Sequence, residues 1–235
     1  MSVGVQRLVT AGNSDPAGPP VHENNVWIVG EGDDVVVIDP AHDAGAVARA
    51  VAGRRVTAIL LTHGHWDHVR AAVGFAALVG APVHLNEADR FLWTAEHGET
   101  PFEPLRDGDV FQAGGVELVA RHTPGHTPGS TSFVAAAAGP QFRGSRSVPA
   151  GEGGDPGTSP RTEGRECCVF SGDTLFEGGP GATRWDYSSF ATIIESIESR
   201  LFTLPDETVV HTGHGPSTTI GAERTALGEW IQRGW

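Results

Sequence analysis

The sequence predicts a mixed α/β fold, since strand-like and helix-like patterns alternate along the whole chain. Short apolar runs bounded by turn residues are typical of strands, several of them buried on both faces. Apolar residues that recur three and four positions apart are typical of helices with one buried side. A length of 235 residues suits one well-buried core. We therefore expect a single domain over residues 1–235.

The clearest patterns predict the following elements. The strands are residues 26–29, 35–38, 58–61, 116–120, 131–135 and 167–170. The helices are residues 44–51, residues 71–79, and a segment whose apolar side chains fall at positions 190, 193, 194, 197 and 201. Ser188 or Ser189 is expected to cap the last helix, because a serine oxygen accepts a hydrogen bond from a free N–H group of the first turn.

One segment, at about residues 139–164, departs from this alternation. It is rich in Gly, Pro, Ser and Arg and has no apolar periodicity, so we expect a flexible insertion. Because it lies between two predicted strands, it is expected to lengthen a hairpin loop rather than to separate two domains.

Cys167 and Cys168 are adjacent in a predicted strand, so their side chains are expected to point to opposite faces. This favours a structural role over a redox pair.

Composition excludes several classes of function. A formal net charge of −13 repels the phosphate backbone of nucleic acids, which proteins bind mainly through Lys and Arg. No apolar run approaches the roughly 20 residues needed to span a bilayer. The first residues lack a basic stretch followed by an apolar core, so we expect no secretory signal and a cytoplasmic protein. A small molecule is the expected partner, and the oligomeric state stays open.

The histidines carry the strongest signal for chemistry. Of the eleven in the chain, seven fall into three tight groups: His63, His65 and His68; His122 and His126; His211 and His214. The first group reads Thr-His-Gly-His-Trp-Asp-His over residues 62–68 and directly follows the predicted strand 58–61. In an extended turn, residues two apart share a face, so His63 and His65 are expected to bind one metal ion. Asp67 and His68, expected at the start of the next helix, point to the other side and suit a second ion.

Three further segments supply the remaining ligands. His126 is preferred to His122 for completing the first site, because a glycine before it allows a tight turn. His122 is interpreted as a residue that hydrogen-bonds or packs behind the site. Asp173 follows a third strand, and its carboxylate is the group that can bridge two cations. His214 completes the second site, since flanking glycines let the backbone approach closely, whereas His211 is interpreted as structural.

The ligand types indicate which ions to expect. Imidazole and carboxylate ligands without thiolate suit zinc, with iron or manganese as alternatives. Two divalent cations outweigh Asp67, Asp173 and a bridging hydroxide by a single positive charge, which favours an anionic transition state. We therefore expect two divalent metal ions, zinc being the first choice, with Asp67 and Asp173 as the candidate catalytic residues.

These residues, in this order, resemble the metallo-β-lactamase superfamily, and within it the glyoxalase II (hydroxyacylglutathione hydrolase)-like branch. The matching pieces are residues 24–25, the strand that ends in Asp39, and residues 62–68, 122–130, 171–176 and 211–218. The resemblance implies an αβ/βα sandwich: two mixed sheets face each other, helices lie outside, and metals lie at one edge between the sheets. It places ligands as follows: His63, His65 and His126 around the first metal; Asp67, His68 and His214 around the second; Asp173 between them. Asp39 is implied as a structural acid near the metal loop.

The resemblance also implies a reaction and a substrate class. The implied reaction is metal-dependent hydrolysis, in which a hydroxide shared by two metals attacks the substrate. The implied substrate is a thioester of a small thiol carrier. The basic and aromatic pair that binds glutathione in glyoxalase II is replaced here over residues 177–185. Arg184, Trp185 and Tyr187 are therefore candidate contacts to another thiol carrier, such as mycothiol.

Other activities of the superfamily stay open. One is a mononuclear iron persulfide dioxygenase, although the Gly-Arg-Thr-Asp signature of that class is replaced by Gly-Ala-Thr-Arg at residues 181–184. Another is hydrolysis of lactams, lactones, other esters or RNA. Asp173 argues against the β-lactamases, which usually have Cys or no ligand at that position.

The isolated histidines are interpreted as structural or exposed: His22, His42, His84 and His97. Of these, His22 is expected nearest the site.

Overall fold

Two six-stranded sheets pack face to face in the computed structural model of the chain, which describes residues 3–15, 18, 21–137 and 167–234. Both sheets are mixed, with parallel and antiparallel strand pairs. Helices pack on the outer face of each sheet. The α/β sandwich with helices outside, expected from the sequence, is therefore confirmed. The insertion expected at about residues 139–164 lies outside the described residues.

The first sheet has its strands in chain order. They are β1 (Val5–Gly12), β2 (His22–Val29), β3 (Asp34–Ile38), β4 (Arg55–Leu60), β5 (Val83–Asn86) and β6 (Glu103–Leu105). Strands β1 to β3 pair antiparallel, and β3 to β6 pair parallel. The parallel connections contain the helices α1 (Ala44–Val51), α2 (Trp66–Val69), α3 (Ala72–Val79) and α4 (Arg90–His97). Because parallel strands end at the same edge, the loops after β3, β4 and β5 meet there.

The second sheet has the order β14-β13-β10-β9-β8-β7. Its strands are β7 (Val110–Ala113), β8 (Val116–His122), β9 (Thr131–Ala137), β10 (Cys167–Gly172), β13 (Val209–Thr212) and β14 (Thr218–Thr219), while β11 (Leu175–Phe176) and β12 (Gly179–Pro180) form a separate hairpin. Helices α5 (Phe190–Ser196), α6 (Ile220–Arg224) and α7 (Leu227–Arg233) accompany this sheet. No helix in the described ranges is both long and apolar enough to cross a membrane.

The core between the sheets is built from alternating side chains of buried strands. In β3, Val36 and Ile38 face the second sheet, whereas Val35 and Val37 pack under the helices. Both faces of this strand are apolar because residues two apart share a face and each face is covered. The layer between the sheets also contains large side chains from both: Trp27 and Leu60 from the first, and Leu118, Phe133, Phe170 and Cys168 from the second.

The predicted elements agree closely with the observed ones. Residues 44–51 form α1, with the side chain of Asp43 accepting a hydrogen bond from the N–H of Ala46. Of the two serines considered as the cap of the helix that starts at Phe190, it is Ser189 that accepts from the N–H of Thr192. The apolar pattern predicted to continue to position 201 does so, but the segment Ile197–Leu201 is wound as a π-helix. The predicted strand 58–61 falls in β4, which ends one residue earlier.

Candidate metal centre

The loop after β4 is held by a buried carboxylate at the end of β3. Asp39 accepts hydrogen bonds from the backbone N–H of Thr62 at 2.7 Å and from its hydroxyl at 2.6 Å. The Nδ1–H of His68 donates to the same carboxylate at 2.9 Å. Asp39 therefore fixes both ends of the motif at residues 62–68, as the family resemblance implies.

Three imidazoles converge at the first predicted site. The Nε2 of His63 and the Nδ1 of His65 lie 3.0 Å apart, and the Nε2 of His126 lies 3.0 Å from the same Nδ1. His63 and His126 are buried, while His65 is partly exposed. The loops after β4 and β8, which belong to different sheets, are thus brought together as the sequence predicts.

A second group lies beside the first. The Nε2 of His214 is 3.2 Å from the Nε2 of His68 and 3.3 Å from the Oδ2 of Asp67. His68 and Asp67 lie on the short helix α2, as expected. The buried amide of Asn24 donates to the Oδ2 of Asp67 at 3.2 Å and so orients this carboxylate.

Asp173 lies between the two groups. Its Oδ1 is 3.4 Å from the Nε2 of His68, and its Oδ2 is 3.6 Å from the Nε2 of His126 and 3.4 Å from that of His214. The backbone of Gly213 passes so close to this carboxylate and to the ring of His68 that a Cβ there has no room. The expectation that a glycine beside His214 permits a close approach is therefore confirmed.

Each imidazole turns one nitrogen inward and engages the other outside. The outward contacts are His63 Nδ1 to Thr62 Oγ1 (3.1 Å), His68 Nδ1 to Asp39 (2.9 Å), His126 Nδ1 to the carbonyl of Ala182 (2.8 Å), His214 Nδ1 to the carbonyl of Glu23 (2.7 Å) and His65 Nε2 to the hydroxyl of Tyr187 (3.0 Å). A carbonyl or carboxylate partner requires the outward nitrogen to carry the proton. In their neutral forms, the inward nitrogens of His68, His126 and His214 therefore present lone pairs, as in metal-binding histidines. The same holds for His63, because the hydroxyl of Thr62 donates to Asp39 and so accepts from the Nδ1–H of His63.

Two observations test whether these side chains suit metal ions. Nitrogens bound to one tetrahedral zinc at about 2.0–2.1 Å lie about 3.3 Å apart, close to the 3.0 Å contacts that His65 makes with His63 and His126. The Oδ1 of Asp173 is buried and, among the described residues, makes no hydrogen bond of good geometry, its near neighbour being the Nε2 of His68 at 3.4 Å. Such an atom costs free energy unless a cation lies beside it. The donor set therefore fits divalent cations.

The side chains also perturb one another's protonation. Burial, followed by the neighbouring imidazoles, holds the pKa of His63 well below its ordinary value. Burial disfavours the charged form of His68 and His214, but the carboxylates of Asp173 and Asp67 outweigh it and raise the pKa of His214 to about 10 and that of His68 well above its usual range. Without a metal, protons on these two rings supply the positive charge that the carboxylates require. A bound cation would supply this positive charge instead.

An open cleft of about 670 Å³ leads to the centre. The predicted substrate contacts Arg184, Trp185 and Tyr187 line it, together with Trp66 and Phe176. The rings of Trp185 and Tyr187 are nearly parallel with centroids 6.0 Å apart, and the guanidinium of Arg184 lies 4.9 Å from the ring centroid of Trp185. The ring of Trp185 in turn lies 4.6 Å from that of His65. One wall of the cleft is therefore aromatic up to the metal ligands.

The remaining histidines are separated from the cluster. His122 contacts the carbonyl of Pro128 at 2.8 Å, and His211 stacks on Phe170 with centroids 5.0 Å apart, which agrees with their interpretation as supporting residues. His22 lines the cleft, as expected of the isolated histidine nearest the site. His42 lies nearer than its isolation in sequence suggests, because its Nε2 is 2.7 Å from the Oδ1 of Asn24.

Two residues that support the site were not predicted from sequence. Asn24 enters the sequence prediction only as part of a matching segment, and Asp89 does not enter it. Asp89 is fully buried and bonds to the loops that carry His63, His65 and His126. The signal for Asp89 in the sequence is an acidic residue shortly after the strand β5, which has only four residues and no long apolar run.

The fold and the site together define a class of metal-binding enzyme, and comparisons with known proteins give its family. Residues 19–139 match the family model of the metallo-β-lactamase superfamily. The chain belongs to this superfamily, which comprises metal-dependent hydrolases.

Individual relatives extend the match along the chain. A protein of Mycobacterium tuberculosis is 35% identical over 223 residues, covering 85% of this chain and 89% of its own length. The hydroxyacylglutathione hydrolase GloC of Haemophilus influenzae is 30% identical and covers 81% of this chain and 84% of its own length. The solved structure of TTHA1623 in a di-iron-bound form has a TM-score of 0.65 and 29% identity, covering 86% of this chain and 92% of that one.

Proposed function

We propose that this chain is a binuclear metal-dependent hydrolase that cleaves a thioester of a small thiol carrier. The observation that carries the proposal is the set of inward-facing donors. His63, His65 and His126 form one trio, and Asp67, His68 and His214 form another. Asp173 lies between the trios and contacts members of both. The site is open to a cleft of the size of a small-molecule substrate.

In this proposal each trio would hold one divalent ion, and the carboxylate of Asp173, between the trios, would be available to both. Metal ions so held lower the pKa of water and polarise a carbonyl group. The surrounding residues fix the orientation of the ligand side chains. Asp39 and Asn24 hold His68 and Asp67 in orientation, and the outward contacts of the imidazoles keep their lone pairs directed inward.

The cleft supports a thioester substrate with an extended carrier. The parallel rings of Trp185 and Tyr187 offer a flat apolar surface beside the metal ligands, on which a carrier group can stack. The guanidinium of Arg184, exposed at the same wall, suits a carboxylate or a hydroxyl-rich group. The 30% identity to a hydroxyacylglutathione hydrolase supports a thioester as the bond cleaved. Because this wall differs from the glutathione-binding pair, we propose another carrier, such as mycothiol.

Zinc is the proposed ion, because the donors are imidazole and carboxylate groups and their spacing suits tetrahedral coordination. Iron is the alternative that a specific observation favours, since a protein 29% identical in sequence has been solved in a di-iron-bound form. Elemental analysis of protein purified without added metal distinguishes the two ions. It also gives the number bound for each chain, which we expect to be two.

A panel of S-lactoyl conjugates of glutathione, mycothiol and coenzyme A tests the reaction. We expect release of free thiol without consumption of oxygen, and faster turnover of mycothiol than of glutathione conjugates. Asp173→Asn is expected to abolish turnover, whereas Asp186→Asn, the same change at an exposed position near the cleft wall, is expected to retain it. Oxygen consumption with a persulfide substrate, or turnover of a lactam or RNA but of no thioester, would contradict the proposal.

A further inference from the structure

Asp89 is a fully buried acid that binds two separate loops. Its Oδ2 accepts hydrogen bonds from the backbone N–H of Gly64 at 2.8 Å and from the hydroxyl of Thr127 at 2.7 Å. Its Oδ1 accepts from the backbone N–H of Gly129 at 2.7 Å. Both oxygens are therefore engaged, each by groups that donate to it. The lengths are those of strong, charge-assisted hydrogen bonds.

The partners of Asp89 are direct chain neighbours of the first trio. Gly64 lies between His63 and His65, and Thr127 follows His126. None of the three bonds reaches a ligand side chain: Asp89 contacts two backbone N–H groups and the hydroxyl of Thr127 in the loops that carry the ligands. It joins the loop of the first sheet that carries His65 to the loop of the second sheet that carries His126, and the inward nitrogens of these two residues lie 3.0 Å apart.

The surrounding residues are adapted to this contact. A Cβ at Gly64 would lie 3.0 Å from the Cβ of Asp89 and 2.8 Å from that of Leu92, and a Cβ at Gly129 would lie 2.6 Å from the Cγ of Asp89. Only glycine lets either loop approach the carboxylate this closely. Asp89 also precedes α4 at the N-cap position, where an aspartate commonly bonds to the first turn, yet its side chain makes no capping bond. The carboxylate is committed to the two loops.

We propose that Asp89 is a positioning residue for the first metal trio, His63, His65 and His126. This inference rests on the proposed function, because it takes the trio to be a metal site. An asparagine at position 89 has nearly the same shape but only one acceptor oxygen, so at least one of the three donors loses its partner and faces an N–H instead. The two loops then move relative to each other, and the trio loses its spacing.

The test measures zinc affinity, by competition with a chromophoric chelator, in two backgrounds of the full-length chain. In His214→Ala, tight binding of zinc is expected to be due to the first trio, and adding Asp89→Asn is expected to weaken that binding about 10–100-fold, the range typical for removing an outer-shell partner. In His65→Ala, tight binding is due to the second trio, and adding Asp89→Asn is expected to leave it within about twofold. Equal weakening in both backgrounds, or in neither, would overturn the proposal.

Thr127 provides a milder pair of variants in case Asp89→Asn does not fold. Thr127→Val removes one of the three hydrogen bonds and is expected to weaken the first site, whereas Thr127→Ser keeps the hydroxyl and is expected to bind zinc like the parent. Val47→Ala, on the buried face of α1, is expected to lower stability without changing either loop. If it weakens zinc binding as much as Thr127→Val does, positioning is not the cause.

The two proposals fail in different ways. If the unmodified chain binds no zinc, iron or manganese, the proposed function is wrong and Asp89 has no metal site to position. If the unmodified chain binds two ions and cleaves thioesters while the variants at positions 89 and 127 match their parents in affinity, only the positioning role is wrong. Unfolding of the metal-free variants, followed by circular dichroism, shows in each case that a folded protein was measured.

Discussion

Replacing Asp39 with asparagine is expected to weaken both the fold and the second half of the metal centre. Asp39 is 1% exposed and receives three hydrogen bonds, two from Thr62 and one from His68. Its φ of 49° lies in the left-handed region, which asparagine tolerates as well as aspartate does. The substitution therefore removes charge and one acceptor while it leaves the backbone unstrained.

The magnitude follows from these three bonds. Asparagine can satisfy two of the three donors at most, and its amide then faces the third. Losing a hydrogen bond to a charged group costs about 1.5–3 kcal/mol, and a buried donor left without a partner costs a similar amount. We expect the free energy of unfolding of the metal-free protein to fall by about 2–4 kcal/mol. Because the tautomer of His68 is no longer fixed, zinc affinity of the second trio should fall about 10–100-fold.

Urea unfolding in the presence of a chelator measures the first effect, and zinc competition in the His65→Ala background measures the second. Asp34→Asn is the matched control, since Asp34 pairs with Arg55 on the exposed surface and the same chemical change there should leave zinc affinity unchanged. If Asp39→Asn unfolds at the same urea concentration as the parent and binds zinc equally well, the buried carboxylate does not hold the metal loop and the reasoning fails.

Three further outcomes are expected. Asn24→Ala removes the amide that donates to Asp67 and should weaken zinc binding at the second trio about tenfold, measured by chelator competition; unchanged affinity would contradict this. Tyr187→Phe removes the hydroxyl beside His65 and should weaken the first trio by about the same factor, while retaining the aromatic wall. Burial lowers the pKa of His211 to about 4 from its ordinary 6.5, so the unfolded chain takes up a proton first as pH falls. The free energy of unfolding should therefore be highest above about pH 6.5 and should decline toward pH 4, because His211 stays neutral in the folded state. Urea unfolding measured across this pH range should show a shallower decline for His211→Gln than for the parent.

The strands predicted from sequence were mostly those with long runs of buried apolar residues. Val35–Val37 of β3 and their neighbours produce long apolar runs because both faces of the strand are covered. The strands that sequence reasoning missed lack this signal. In β1 most side chains are partly or fully exposed, and β6 has three residues. An exposed edge strand and a very short strand acquire their conformation from pairing with a neighbour, which a local pattern does not record.

The candidate site likewise contains residues that the sequence predicts and residues that it does not. The seven donor side chains could be found because metal binding concentrates histidines and acids in short local motifs. The residues that orient them are distant in sequence and ordinary in type. Asp89 reaches Gly64 across 25 positions, and Asn24 reaches Asp67 across 43. Such pairs are created only when strands from different parts of the chain end at one edge, so the spacing within a motif does not predict them.

This architecture predicts that metal binding and packing of the sheets are coupled. The donors between His63 and His68 follow β4 of the first sheet, whereas His126, Asp173 and His214 follow strands of the second. Within the part of the chain that the structure describes, every group of three side chains that could hold an ion includes members from both sheets. The end of β13 is fixed to the first sheet by Trp27, whose indole N–H donates to the carbonyl of Thr212 at 3.0 Å. Because neither sheet holds a complete trio, the ions can bind tightly only after the sheets have packed, and once bound they hold that packing together.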